Sequence, residues 1–118
     1  MTGLQEAMVT ARRNGEDAVA WAAASANSIR DRLRVYGRFL MRDFSAEPGA
    51  AQDVLSTLTG DLMEDVFWST PRRRIANKTF TATHYPAQRE IRMHSEMAYS
   101  PVFPRLLCFH AVKAADQG

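Results

Sequence analysis

His94 and Glu96 are the residues of this chain whose types and spacing could do chemistry together. They stand two apart in Ile91–Ala98, where the flanking pattern reads as extended. Ile91, Met93, Ser95 and Met97 point one way, and Arg92, His94, Glu96 and Ala98 the other. In such a strand both side chains leave one face with roughly 6.5 to 7 Å between their α carbons, a separation that lets them converge on one ion. An imidazole and a carboxylate so placed are two of the three ligands of the two-histidine, one-carboxylate facial triad, which leaves open positions on non-haem Fe(II) for oxygen and a co-substrate. On this reading Ile91, Met93 and Met97 anchor the opposite face in a core. Spacing alone leaves a second reading open, a solvated strand face carrying an ordinary polar pair.

The elements that must position this pair follow from periodicity. Asp17–Tyr36 reads as a helix, because Ile29, Leu33, Tyr36 and Leu40 recur at spacings of four, three and four, with Arg30, Asp31, Arg32 and Arg34 between them. Gly37 suits its stop. Arg38–Asp43 then alternates like a short strand. A second helix follows, with Pro48 in its first turn, a stripe of Val54, Leu55, Leu58 and Leu62, and Gly60 weakening or ending it. Beyond Trp68 the chain turns to threonines, aromatics and prolines, which reads as strands joined by loops. Thr79–Thr83 alternates up to Pro86, Ile91–Ala98 carries the candidate ligands, and Arg105–Val112 reads as the last strand.

Composition narrows the function classes. At 118 residues the chain has room for one small domain, and 46% apolar residues with only six glycines and five prolines argue against a disordered or low-complexity segment. Fifteen basic against thirteen acidic residues give a formal charge of +2, and the clusters Arg12-Arg13 and Arg72–Arg74 lack the interleaved aromatics of a base-stacking surface, so nucleic acid is not the expected partner. No stretch approaches the length of a membrane span, so no membrane is expected either. Arg12 and Arg13 ahead of the small-residue run Ala18–Ala26 imitate a twin-arginine export signal, but Glu16 and Asp17 intervene and the alanine-rich run suits a helix body. The lone cysteine, Cys108, fits a reducing compartment, hence a cytoplasmic protein.

Several segments together carry a resemblance: Ser69-Thr70-Pro71-Arg72, Thr83-His84-Tyr85-Pro86-Ala87, Ile91-Arg92-Met93-His94-Ser95-Glu96-Met97-Ala98-Tyr99, and Pro104-Arg105-Leu106-Leu107-Cys108-Phe109 leading to Ala115-Asp116-Gln117-Gly118. They resemble the taurine dioxygenase-like family of Fe(II)- and 2-oxoglutarate-dependent oxygenases, and within it the syringomycin-type amino-acid hydroxylases of natural-product pathways. The similarity runs from Leu33 to Gly118, is specific from Thr70 onward, and leaves Met1–Asn27 uncovered.

The resemblance implies an α+β chain in which N-terminal helices precede the first strands of a double-stranded β-helix, or jelly roll, as one partial domain over residues 1–118. It implies that His94 and Glu96 ligate Fe(II), with 2-oxoglutarate as co-substrate and O2 as oxidant. It also implies an amino acid as substrate, free or tethered to a carrier protein. The carboxylate of Glu96 favours hydroxylation, since halogenating relatives lack it. Arg72 and Tyr99 are candidates for the substrate pocket, beside a plainer reading of Arg72–Arg74 as a solvated charge run. His84 stands where relatives carry an acid and reads as a pocket-rim histidine. His110, with Leu106 and Cys108 on its face, reads as structural.

The family's distal histidine and co-substrate-binding arginine lie downstream of the motif and are absent from this sequence. The chain therefore reads as the front half of a domain, with unpaired strand edges through which it could self-associate. A different class, a non-catalytic binding or regulatory module derived from the same fold, is the alternative.

Overall fold

The computed structural model describes residues 10–63, 74–76, 79–82, 85–86, 88–113 and 116. Strand β1 (Thr10–Arg12) leads into helix α1 (Ala18–Tyr36), which returns to strand β2 (Leu40–Arg42). β1 and β2 pair in parallel, with Thr10 opposite Leu40 and Arg12 opposite Arg42. Parallel neighbours need a crossover of this kind, and the helix supplies it. The ladder continues past the strands through Gly15 N–H to Asp43 O (2.9 Å) and Ser45 N–H to Glu16 O (2.8 Å).

Local chemistry sets the helix ends. Asp17 is extended and its Oδ1 accepts from the Ala20 N–H at 2.7 Å, satisfying one of the donors a helix start leaves orphaned. At the other end Gly37 adopts φ 71° and donates to Leu33 O, a left-handed cap that costs a residue without Cβ almost nothing. Helix α2 (Ala50–Thr59) is one turn shorter than the Leu62 stripe implied, because Gly60 at φ 77° turns the chain out. Ala18, Ala22, Ile29 and Val54 form the buried core, with Leu33, Phe39, Met41, Phe44 and Leu58 packed around it. Arg30 ties the helices together by donating to Leu58 O at 3.1 Å, placing a cation on carbonyls that α2 leaves unpaired.

The β content departs from expectation. Strands β3 (Arg74–Ala76) and β4 (Thr79–Phe80) form a short antiparallel pair, so the extended run ends at Phe80 instead of Thr83. Ile91–Ala98 is not a strand: residues 91–95 are irregular and 96–99 form a turn. Met97 has φ 56°, and Ala98 N–H to Ser95 O (3.3 Å) with Ser100 N–H to Met97 O (2.9 Å) spends backbone donors locally that a ladder would need. Arg105–Val112 is irregular as well. Alternation gives a segment two faces, but a strand also needs a neighbour to bond, and neither segment has one among the described residues. There the sheets are two separate pairs, and the jelly roll itself is not formed.

The core expected behind the candidate ligands is likewise confined to Met97, which is buried. Ile91 is 58% exposed and Met93 fully so.

Candidate metal centre

The turn brings the two candidate ligands together by a route other than the strand face. His94 Nε2 lies 3.7 Å from Glu96 Oε2. His94 Nδ1 sits 2.8 Å from the Arg92 carbonyl oxygen. A carbonyl only accepts, so Nδ1 carries a proton and donates to it, which leaves Nε2, the nitrogen facing the carboxylate, as the one a metal could take. Histidines that bind metals commonly anchor their second nitrogen in this manner. Arg92 thus contributes a main-chain oxygen, a role that residue types alone give no signal for.

Met97 holds the turn. Its left-handed backbone, unusual for a residue with a Cβ, coincides with a side chain only 6% exposed, so burial offsets the conformational cost. Ser100, also buried, donates through Oγ to Val102 O at 2.6 Å and receives the Val102 N–H at 3.2 Å, closing the next bend.

The donor set suits a divalent transition metal. One neutral imidazole nitrogen and one carboxylate oxygen are ligands that non-haem iron takes. The two atoms, 3.7 Å apart, are close enough that His94 and Glu96 would hold one ion between them. Among the described residues no third His, Cys, Asp or Glu joins them in a metal-binding group.

Tyr99, 54% exposed, lies in the same turn as Glu96. Arg72 and His84 lie outside the described residues. His110 is exposed and outside any strand, so it fills no core position; Cys108 before it is exposed and Leu106 half-buried. Of the basic clusters, Arg12 is paired with Asp43, and Arg13 lies 3.9 Å from Glu16. No described helix is long and apolar enough to cross a membrane.

A histidine and a glutamate thus converge at a turn downstream of helices and short strands. Residues 2–118 match the family described as taurine catabolism dioxygenase TauD, TfdA family, and the chain belongs to it. The match reaches into Met1–Asn27, further toward the N-terminus than the sequence motifs did. The chain is also 34% identical over 95 residues to the dapdiamide synthesis protein DdaC of Enterobacter agglomerans, an alignment covering 80% of this chain and 29% of that protein. The chain therefore spans less than a third of the length of this curated relative. No solved structure matches significantly.

Proposed function

We propose that this chain carries two of the iron ligands, His94 and Glu96, of an Fe(II)- and 2-oxoglutarate-dependent oxygenase that hydroxylates an amino acid or an amino-acid-derived small molecule. The observation that carries the reading is the convergence of His94 Nε2 and Glu96 Oε2 at 3.7 Å, with Nδ1 anchored on the Arg92 carbonyl. Membership in the TauD, TfdA family supports the class of chemistry. Likeness to a protein named for dapdiamide synthesis supports an amino-acid-derived substrate in a natural-product pathway.

Bound Fe(II), with its co-substrate, supplies the activation of O2 that an unactivated carbon requires. His94 contributes a neutral nitrogen ligand whose tautomer and ring orientation are fixed from behind by Arg92 O. Glu96 would contribute an anionic oxygen that offsets part of the metal's charge. Tyr99, in the same turn and half exposed, would meet the substrate on this reading. A cytoplasmic location fits this chemistry.

Turnover tests the reading. In a full-length protein that also carries the third ligand and the co-substrate arginine, succinate formation from 2-oxoglutarate under Fe(II) and O2 should be abolished by His94→Ala. Unchanged turnover in that variant would remove His94 from the metal.

A further inference from the structure

A second site, sharing no residue with the His94–Glu96 turn, lies between β1 and α1. A cavity of about 410 Å³ opens there, lined by Arg12, Arg13, Trp21, Ser25, Ser28 and Arg32 among others. Trp21, Ser25, Ser28 and Arg32 follow one another at spacings of four, three and four, so they form a single stripe along the helix beside the one that Ala18, Ala22 and Ile29 bury. Two serines in the middle of that stripe leave space where longer side chains would fill it, and they offer hydroxyl donors.

The arginines are not equivalent. Arg12 is neutralised by Asp43. Arg13 has Glu16 as its one acidic neighbour among the described residues, with Nε 3.9 Å from Oε1, beyond hydrogen-bond length, and spends one Nη1 donor on Arg12 O at 3.1 Å. Arg32 has no carboxylate partner among the described residues. Both of these guanidinium groups are nonetheless held in place by rings: Arg13 lies 5.8 Å from the centroid of Trp21, and Arg32 lies 5.7 Å from that of Phe39. Trp21 and Phe39 stack on each other, 6.2 Å apart and 6° from parallel. Two cations and two rings thus form one connected set, of which Arg13, Trp21 and Arg32 line the groove. Cation–π contacts orient a guanidinium but leave its N–H donors open for an anion.

We propose that this groove binds a small oxyanion-bearing ligand, carboxylate or phosphate, between Arg13 and Arg32, with Ser25 and Ser28 as further donors. Guanidinium groups match both anions through paired N–H bonds, and charge-assisted bonds of this kind are the strong ones.

Calorimetric titration of the chain at low salt with inorganic phosphate and, separately, with citrate tests the proposal. Saturable binding of one anion per chain is expected. Saturation by phosphate alone assigns the phosphate source, and saturation by citrate alone assigns the carboxylate source. Arg13→Gln and Arg32→Gln should each weaken binding about tenfold. Arg34→Gln should change nothing, because that guanidinium pairs with Asp31 and lies outside the groove. Ser28→Leu, an exposed helix position where leucine is a good helix former, should block the groove without lowering the melting temperature. The proposal is overturned if neither anion saturates. It fails equally if Arg34→Gln loses as much affinity as Arg32→Gln, or if the Arg13 and Arg32 variants bind as tightly as the parent.

Discussion

The Nδ1 atom of His94 lies 2.8 Å from the main-chain oxygen of Arg92, two residues back along the chain. That contact places a proton on Nδ1 and turns Nε2 toward Glu96, whose Oε2 lies 3.7 Å away.

The left-handed backbone of Met97 should separate two substitutions that both remove its side chain. Met97→Ala keeps the positive φ and loses the burial, so it should destabilise the chain by about 2 to 3 kcal/mol. Met97→Gly loses the same burial but relieves about 1 kcal/mol of backbone strain. Urea midpoints should rank parent above glycine above alanine. Equal midpoints for the two variants would show that φ 56° at this position costs nothing.

Both caps of α1 should be measurable. Asp17→Ala removes the acceptor for the Ala20 N–H and should cost about 1 kcal/mol. Gly37→Ala places a Cβ where nothing lies within 4 Å, so its cost of about 1 kcal/mol comes from the left-handed backbone and not from a clash. Thermal melts of the two single variants and of the double variant should give additive losses, since the sites are at opposite ends of the helix.

The glycine stop was legible in the sequence because capping is local chemistry, whereas Asp17, read there as the first helical residue, is the N-cap one position before the helix. The parallel pair of β1 with β2 was not legible, since Thr10 bonds across to the Leu40 region from thirty residues away and three residues carry too little pattern to announce a strand. The opposite failure occurs at Ile91–Ala98. Its strict alternation promised a strand, yet the segment has no ladder partner among the described residues and Met97 turns it. His94 and Glu96 still converge, because two residues separated by one are neighbours on an extended face and can meet again when a turn tightens the backbone between them. Residue types and spacing predicted the pairing; the backbone that delivers it, and the part played by Arg92 O, required the structure.

Arg30 should matter more than its position on a polar stretch of sequence implies. Its guanidinium donates to Leu58 O at the end of α2 and to Asn27 Oδ1 on its own helix. Arg30→Gln should lower the unfolding free energy by about 1 kcal/mol, measured by denaturant titration. Arg34→Gln, whose ion pair with Asp31 is exposed on both sides, should lie within about 0.5 kcal/mol of the parent.

Cys108 gives a pH dependence. The residue as a whole is exposed, yet its sulfur is shielded enough that desolvation raises the thiol above its ordinary 9.0. A folded-state pKa above the unfolded value favours the neutral thiol in the fold. The resulting stability is fully present below pH 9.0 and is lost as pH rises through the raised value. Alkylation by iodoacetamide near pH 8.5 should be slower in the folded chain than in urea. Equal rates would mean the sulfur is fully hydrated.

Anaerobic titration of the chain with Fe(II), comparing the parent with His94→Ala and Glu96→Ala, tests the central claim most directly. One Fe(II) per chain should bind to the parent, and each substitution should weaken binding by about 100-fold or more while the far-ultraviolet circular dichroism stays unchanged. Binding of equal strength in all three proteins would contradict the assignment of these two residues to the metal.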